Sequence, residues 1–361
     1  MRWSYRIGRI AGTDIKVHVT FLLLLAWLAF QAYADGGAAA AIGRSLFILA
    51  LFGCVTLHEF GHILVARQFG VRTPDVILLP IGGVARLERI PNDPRQELLI
   101  ALGGPAVTLL IALALFGYLR LGGSPDRLWP PDPNATSFPL QLMWVNVWLL
   151  LFNLVPAFPM DGGRVLRALL ATRLGLVRAT RAATAVGQTL AVGMGLLGLT
   201  PYGSPILVLI AFFVFVGAGA EASAVETRAA GEGLQVAQVM VTQFRAIPVH
   251  ATLSDAVDLL LSGEQREFPV VDNLGRTEGL LTRDNLIRGL REHGPQATVA
   301  ETMTSPAPTV SPTTPFQEAL ERLRASGLPA LPVVDAAGAL VGLLTLENIS
   351  ELLLVRRAGV R

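Results

Sequence analysis

Six apolar stretches govern what this chain can fold into: about Val17–Ala34, Ile42–Ala66, Leu98–Leu119, Leu140–Phe158, Ala182–Leu199 and Pro205–Ala222. A bilayer core takes about 20 predominantly apolar residues per helix, so each stretch is long enough, or nearly so, to cross. The first and fifth have the least margin. Of the 361 residues 52% are hydrophobic and only 16% charged, with a mean hydropathy of +0.54. A soluble domain carries roughly 25% charged residues, so the expected architecture is a polytopic α-helical membrane domain. A formal net charge of +2 is too small to suggest a nucleic-acid partner. The lone cysteine, Cys54, excludes an internal disulfide framework and a cysteine-rich metal site.

The basic residues set the orientation. With six spans both termini share one side, which would hold Arg2, Arg6, Arg9, Lys16, Arg67, Arg72, Arg86, Arg89, Arg95, Arg164, Arg167, Arg173, Arg178 and Arg181. The opposite loops hold only Arg44, Arg120 and Arg127. Cytosolic loops are enriched in Lys and Arg, so the termini are expected in the cytosol of a multi-pass cell-membrane protein. Arg2, Arg6 and Arg9 ahead of an apolar run ending Ala32-Tyr33-Ala34 also resemble a secretory signal. The run is long for such a signal, and further spans follow.

His58-Glu59-Phe60-Gly61-His62 lies inside the second stretch, toward its cytosolic end. On a helix His58 and His62 stand one turn apart on one face, where both imidazoles can reach one metal ion. Glu59 falls on the flank, where a carboxylate can take a proton from metal-bound water. A catalytic zinc site needs a third protein ligand and an open fourth position. His18, His250 and His293 are lone histidines of the kind more often hydrogen-bonded than ligating. Asp161 is the better candidate, expected to end the fourth span at the same depth as the histidine pair. Pro156 and Pro159 open the backbone before it, and Gly162-Gly163 permits a close approach after it. A Pro-Asp-Gly helix exit at the interface gives the same pattern. Between the second and third stretches, Val76–Leu79 and Val84–Leu87 flank Pro80, Ile81, Gly82 and Gly83 and read as a small β-hairpin. It is either loop decoration or an edge strand for an extended substrate.

After Glu221 the composition becomes mixed and charged, and one unit occurs twice at a constant offset of 63 residues. Val236–Met240 matches Val299–Met303, Pro269–Asp272 matches Pro332–Asp335, and Gly279–Thr282 matches Gly342–Thr345. Such a register marks an internal repeat. The expected partition is a membrane domain at 1–222, a linker at 223–235, and repeats at 236–298 and 299–355. The two copies resemble a pair of cystathionine-β-synthase (CBS) domains, a soluble α/β module. The resemblance implies an adenine nucleotide (ATP, ADP or AMP) between the halves, and a homodimer through the pair. Thr282 and Asp284 match the family's Thr-x-Asp contact to ribose and phosphates. Thr345 and Glu347 occupy the second copy, where Glu departs from Asp. A threonine there also caps the helix that follows in any protein.

His-Glu-Phe-Gly-His in one span, Asn153–Gly163 closing a later one, and the CBS pair together resemble the site-2 proteases, intramembrane zinc metalloproteases, in the subgroup without a PDZ domain. The resemblance implies zinc on His58, His62 and Asp161, with Glu59 as general base. It places Asn153 near the site as a substrate or oxyanion contact. Thr108, in Gly103–Thr108, stands where the family usually has Asn, a change expected to affect packing or hydrogen bonding rather than catalysis. The expected reaction is hydrolysis of a peptide bond in a transmembrane or membrane-associated protein. A CBS-regulated transporter or channel is the rival reading, and it requires ionisable residues spread along several spans.

Overall fold

The computed structural model describes residues 3–10, 12–80, 82–85, 93–122, 137–201 and 203–357. Ile81, Leu87, Arg2, Arg86, Arg89 and Arg127, used above, lie outside them. The chain divides into two compact units, Met1–Val225 and Glu226–Arg361.

The first unit opens with strands the apolar stretches did not announce. β1 (Ser4–Ile10) and β2 (Thr13–His18) pair antiparallel, β2 runs parallel to β3 (Asp75–Leu79), and β3 pairs antiparallel with β4 (Gly82–Ala85). The sheet order is β1-β2-β3-β4, which leaves β4 at one edge. Ile15 and Val17 alternate with Asp14, Lys16 and His18, the period of a strand buried on one face. They pack with Val76 and Leu78 against Phe21, Phe52, Phe60 and Ile63. Within the sheet Lys16 Nζ pairs with Asp75 Oδ2 at 2.7 Å. The first span therefore starts after His18, not at Val17, and His18 Nδ1 accepts from Thr20 N at 3.3 Å to cap it.

α1 (Val19–Gln68) contains non-helical backbone at Gly36 and Gly37, the latter with φ of 71°. The Phe21 and Phe52 rings meet at 4.3 Å between centroids, so the chain folds back on itself at those glycines. Only glycine holds such a φ without a Cβ penalty. α2 (Pro94–Leu121), α3 (Phe138–Asn153), α4 (Asp161–Leu174), α5 (Leu176–Gly198) and α6 (Pro205–Ala230) complete the unit. Among the described residues three helices, α1, α2 and α6, are long and apolar enough to cross a membrane, and α3 is a shorter apolar helix. α6 exposes Leu209, Phe212, Phe213 and Val216, and α1 exposes Leu22, Leu23, Trp27 and Phe30. Surfaces of this kind are expected toward lipid rather than water. The fourth span was expected to run through to Asp161. Instead α3 stops at Asn153, because Pro156 and Pro159 have no N–H to continue it. A loop that buries Ala157, Phe158 and Met160 then leads to Asp161 at the start of α4. The proposed linker 223–235 is helical as far as Ala230.

The second unit contains β5 (Ile247–Pro248), α7 (Leu253–Leu261), β6 (Glu267–Val271), β7 (Thr277–Thr282) and α8 (Arg283–Glu292). It continues with α9 (Phe316–Ser326), β8 (Ala330–Val334), β9 (Leu340–Thr345) and α10 (Leu346–Arg357). Its two cores do not follow the two sequence copies. Val236 and Val239 of the first copy pack with Phe316, Leu331 and Leu344, whereas Val299 of the second packs with Leu253, Phe268 and Leu281. The exchange is reciprocal: Val241 bonds to Leu343, and Thr304 to Leu280, both ways at 2.8–3.1 Å. Each crossing segment passes over a glycine. A Cβ on Gly342 would sit 2.6 Å from Met240 Sδ, and one on Gly279 would sit 2.9 Å from Met303 Sδ.

Candidate metal centre

Two glycines bring α1 and α2 together. A Cβ on Gly103 would lie 2.6 Å from the Gly61 carbonyl oxygen, so the helices cross with backbones almost touching. Small residues at such a crossing permit close helix contact inside a membrane. The crossing puts one face of α2 against His58 and His62, both buried. From the other side α4 presents Asp161, also buried, as its first helical residue, where a carboxylate sits favourably on the helix dipole. Close approach matters here as well, since a Cβ on Gly162 would lie 2.5 Å from the Leu154 carbonyl carbon.

The three side chains converge. His58 Nε2 and His62 Nε2 are 3.1 Å apart, and Asp161 Oδ2 is 3.2 Å from each. Ligands about 2.0–2.1 Å from a tetrahedral zinc ion stand roughly 3.3 Å from one another, so this triangle has the spacing of three zinc ligands. Among the described residues it is the only cluster of three His, Cys, Asp or Glu side chains close enough to share an ion. Gly104 lets α2 pack this close to the ligands. A Cβ on Gly104 would stand 2.6 Å from His58 Nε2 and closer still to His62 Nε2. Two nitrogens and one carboxylate oxygen are a donor set that fits zinc.

The far ring nitrogens are also engaged. His62 Nδ1 lies 2.7 Å from the Ile100 carbonyl oxygen, and His58 Nδ1 lies 2.8 Å from Thr108 Oγ1. With Nε2 reserved for a metal, Nδ1 carries the proton and donates in both contacts. Glu59 stands beside β4: a Cβ on Gly83 would lie 2.7 Å from Glu59 Cγ. Behind the centre, Arg167 is buried on α4. Its Nε is 2.7 Å from Glu97 Oε1 on α2, and its Nη1 is 2.6 Å from Glu221 Oε1 on α6. The same guanidinium covers the Phe158 ring at 5.0 Å, three residues before Asp161.

Comparison with known proteins bears on this arrangement. The family model for peptidase family M50 matches residues 46–124 and 132–196, and the CBS domain model matches 236–292 and 299–355. A zinc metalloprotease of Methanocaldococcus jannaschii is 34% identical over 325 residues, covering 90% of this chain and 89% of its own. The chain belongs to peptidase family M50. It is therefore a site-2 protease family member with a CBS pair, and a metalloendopeptidase. Rip3 of Mycobacterium tuberculosis, named as a zinc metalloprotease, is 31% identical over 99% of this chain and 94% of its own. The solved site-2 protease of M. jannaschii aligns with 35% identity over 61% of this chain and 95% of that one, at a TM-score of 0.45.

In this M50 protein the residues singled out by sequence separate into two sets. His58, His62 and Asp161 meet at the centre, and Glu59 lies next to His58 on α1, against Gly83 of β4. Asn153 is half-buried at the end of α3, and no hydrogen bond joins it to them. His250 and His293 are exposed in the second unit. Thr282 Oγ1 accepts from Asn285 N at 3.2 Å and Thr345 Oγ1 from Asn348 N at 3.0 Å, so both threonines cap helices. Asp284 has 85% of its side chain exposed, on the rim of a cleft of about 660 Å³ that also takes in Thr282, Arg288 and Gly327. Glu347 is exposed and is not part of that cleft. Ile100 and Arg167 carry no sequence signal of a site, and Gly104 carries only its place in the Gly103–Thr108 segment. Their roles arise from where α2 and α4 cross the histidine helix.

Proposed function

We propose that His58, His62 and Asp161 hold one zinc ion and that Glu59 is the general base for hydrolysis of a peptide bond within the membrane. The observation that carries this reading is the triangle of 3.1–3.2 Å among the three donor atoms, two of them on α1, whose outer surface is apolar. Zinc, when bound, supplies a Lewis acid and lowers the pKa of a water toward ~7. Glu59 takes the proton from that water and returns it to the leaving amine.

A helical substrate hides its carbonyls in its own hydrogen bonds and must unwind before attack. β4 supports a route for this. It is the edge strand of its sheet and runs past Glu59 at Gly83, so an extended segment paired to it would lie beside the base. The proposed topology has six crossings: two arms of α1, then α2, α3, α5 and α6, with the termini and CBS pair cytosolic. The CBS pair is proposed to bind an adenine nucleotide in the cleft at Thr282 and Asp284, and to gate the protease. Titration of ATP, ADP and AMP onto the purified protein, with cleavage followed in parallel, tests this. Two chains joined through their CBS halves would show as a doubled mass in detergent.

The test of the main reading is Glu59→Gln. The variant should keep stoichiometric zinc, lose cleavage, and cause single-span proteins to accumulate in the membrane proteome. If wild-type protein carries no zinc and nothing accumulates, the reading fails.

A further inference from the structure

Thr108 is fully buried on α2, five residues beyond the Gly103 crossing, and its hydroxyl is 2.8 Å from His58 Nδ1. We propose that Thr108 is a positioning residue for the metal centre: its hydroxyl accepts the Nδ1 proton of His58, fixing the tautomer and ring angle that turn Nε2 toward the ion. The proposal rests on His58 being a zinc ligand, and it gives a partner and a role to what was expected only as a change in packing or hydrogen bonding.

The two histidines are held in different ways. His62 donates to a backbone carbonyl, that of Ile100, which no side-chain substitution can remove. His58 donates to a side chain, so its orientation depends on which residue occupies position 108. A threonine suits the place for two reasons. Its β-branch restricts χ1 within a helix, so the hydroxyl is held in few positions. It is also short, and α1 and α2 approach so closely at Gly61 and Gly103 that little room separates them. Partners that hold a ligating imidazole from behind typically change metal affinity 10–100-fold when removed.

The experiment measures zinc affinity of the full-length protein in detergent, by competition with a chelator, together with the visible spectrum of the cobalt-substituted protein. Thr108→Val keeps the shape and removes the hydroxyl. Thr108→Ser keeps the hydroxyl and removes the methyl. If the hydroxyl positions His58, Val weakens zinc by about 10–100-fold and alters the cobalt bands, while Ser stays close to wild type. If Thr108 only fills space the order reverses: Ser, which leaves a methyl-sized hole, is the worse variant, and Val is neutral. That reversed order, or equal zinc affinity in all three proteins, overturns the proposal. Should Val fail to fold, Thr108→Ala against Thr108→Ser makes the same comparison, because both lose the methyl and only Ala loses the hydroxyl. Absence of zinc from the wild type would instead refute the ligand assignment.

Discussion

Gly104→Ala should disrupt the metal centre, because it drives a methyl group into both histidine rings. The added Cβ would stand 2.6 Å from His58 Nε2 and closer to His62 Nε2, the two atoms proposed to face zinc. Carbon and nitrogen in ordinary contact are separated by about 3.5 Å, so the His58 ring would have to retreat by roughly 0.9 Å. Zinc ligation tolerates about 0.2 Å in bond length, several times less. Neither ring is free to retreat, since His58 is held at Nδ1 by Thr108 and His62 by Ile100. Alanine is the better helix former, but the overlap with the rings persists without a metal and costs stability as overpacking does. The expected result is a zinc content near zero by elemental analysis, no proteolysis of a reconstituted single-span substrate, and a melting temperature below that of the zinc-free wild type. Gly117→Ala is the control. It lies on the same helix, a Cβ there meets nothing within 4 Å, and it should leave zinc and activity unchanged. Stoichiometric zinc in Gly104→Ala would refute the placement of the ion.

Two further outcomes follow from buried and capping charges. Arg167→Met leaves Glu97 buried beside Glu221 without its hydrogen-bonded guanidinium, so a loss of about 3–5 kcal/mol is expected, read as a lower unfolding midpoint in denaturant titration. Adding Glu97→Gln to Arg167→Met should restore part of that loss, because the stranded charge is gone. In the second unit Thr298 side-chain and backbone hydrogen bonds hold the Glu301 carboxylate below its usual pKa. A depressed folded-state pKa gives stability that is present above the unfolded value and lost as pH falls through the folded one. Thr298→Val should therefore flatten the acid limb of the tail's melting-temperature profile below about pH 4.5, whereas an unchanged profile would show that the cap contributes nothing.

Local patterns carried much of this protein. Residues spaced i and i+4 on a helix share a face wherever that helix is placed, so His58 and His62 were legible as a pair from spacing alone. The apolar stretches marked α1, α2 and α6, because lipid imposes length and composition on any segment that crosses it. The 63-residue register likewise marked the doubled unit in the tail. β1 and β2 were missed because the arginines of β1 and Lys16 of β2 were read as topological charge. The alternation of Ile15 and Val17 with polar neighbours was the available signal.

What the sequence could not decide is set by contacts between distant segments. Whether Asp161 closes one helix or opens another depends on how the Leu154–Met160 loop folds back over Gly162. Thr108, Ile100 and Gly104 have ordinary helical neighbours, and become part of the centre only because Gly61 and Gly103 let two backbones nearly touch. The tail follows the same rule: its two sequence copies are intact, yet each lends its leading segment to the other's core. Periodicity describes one element at a time. Which atoms of different elements meet is fixed by packing, and packing is where this metal centre is made.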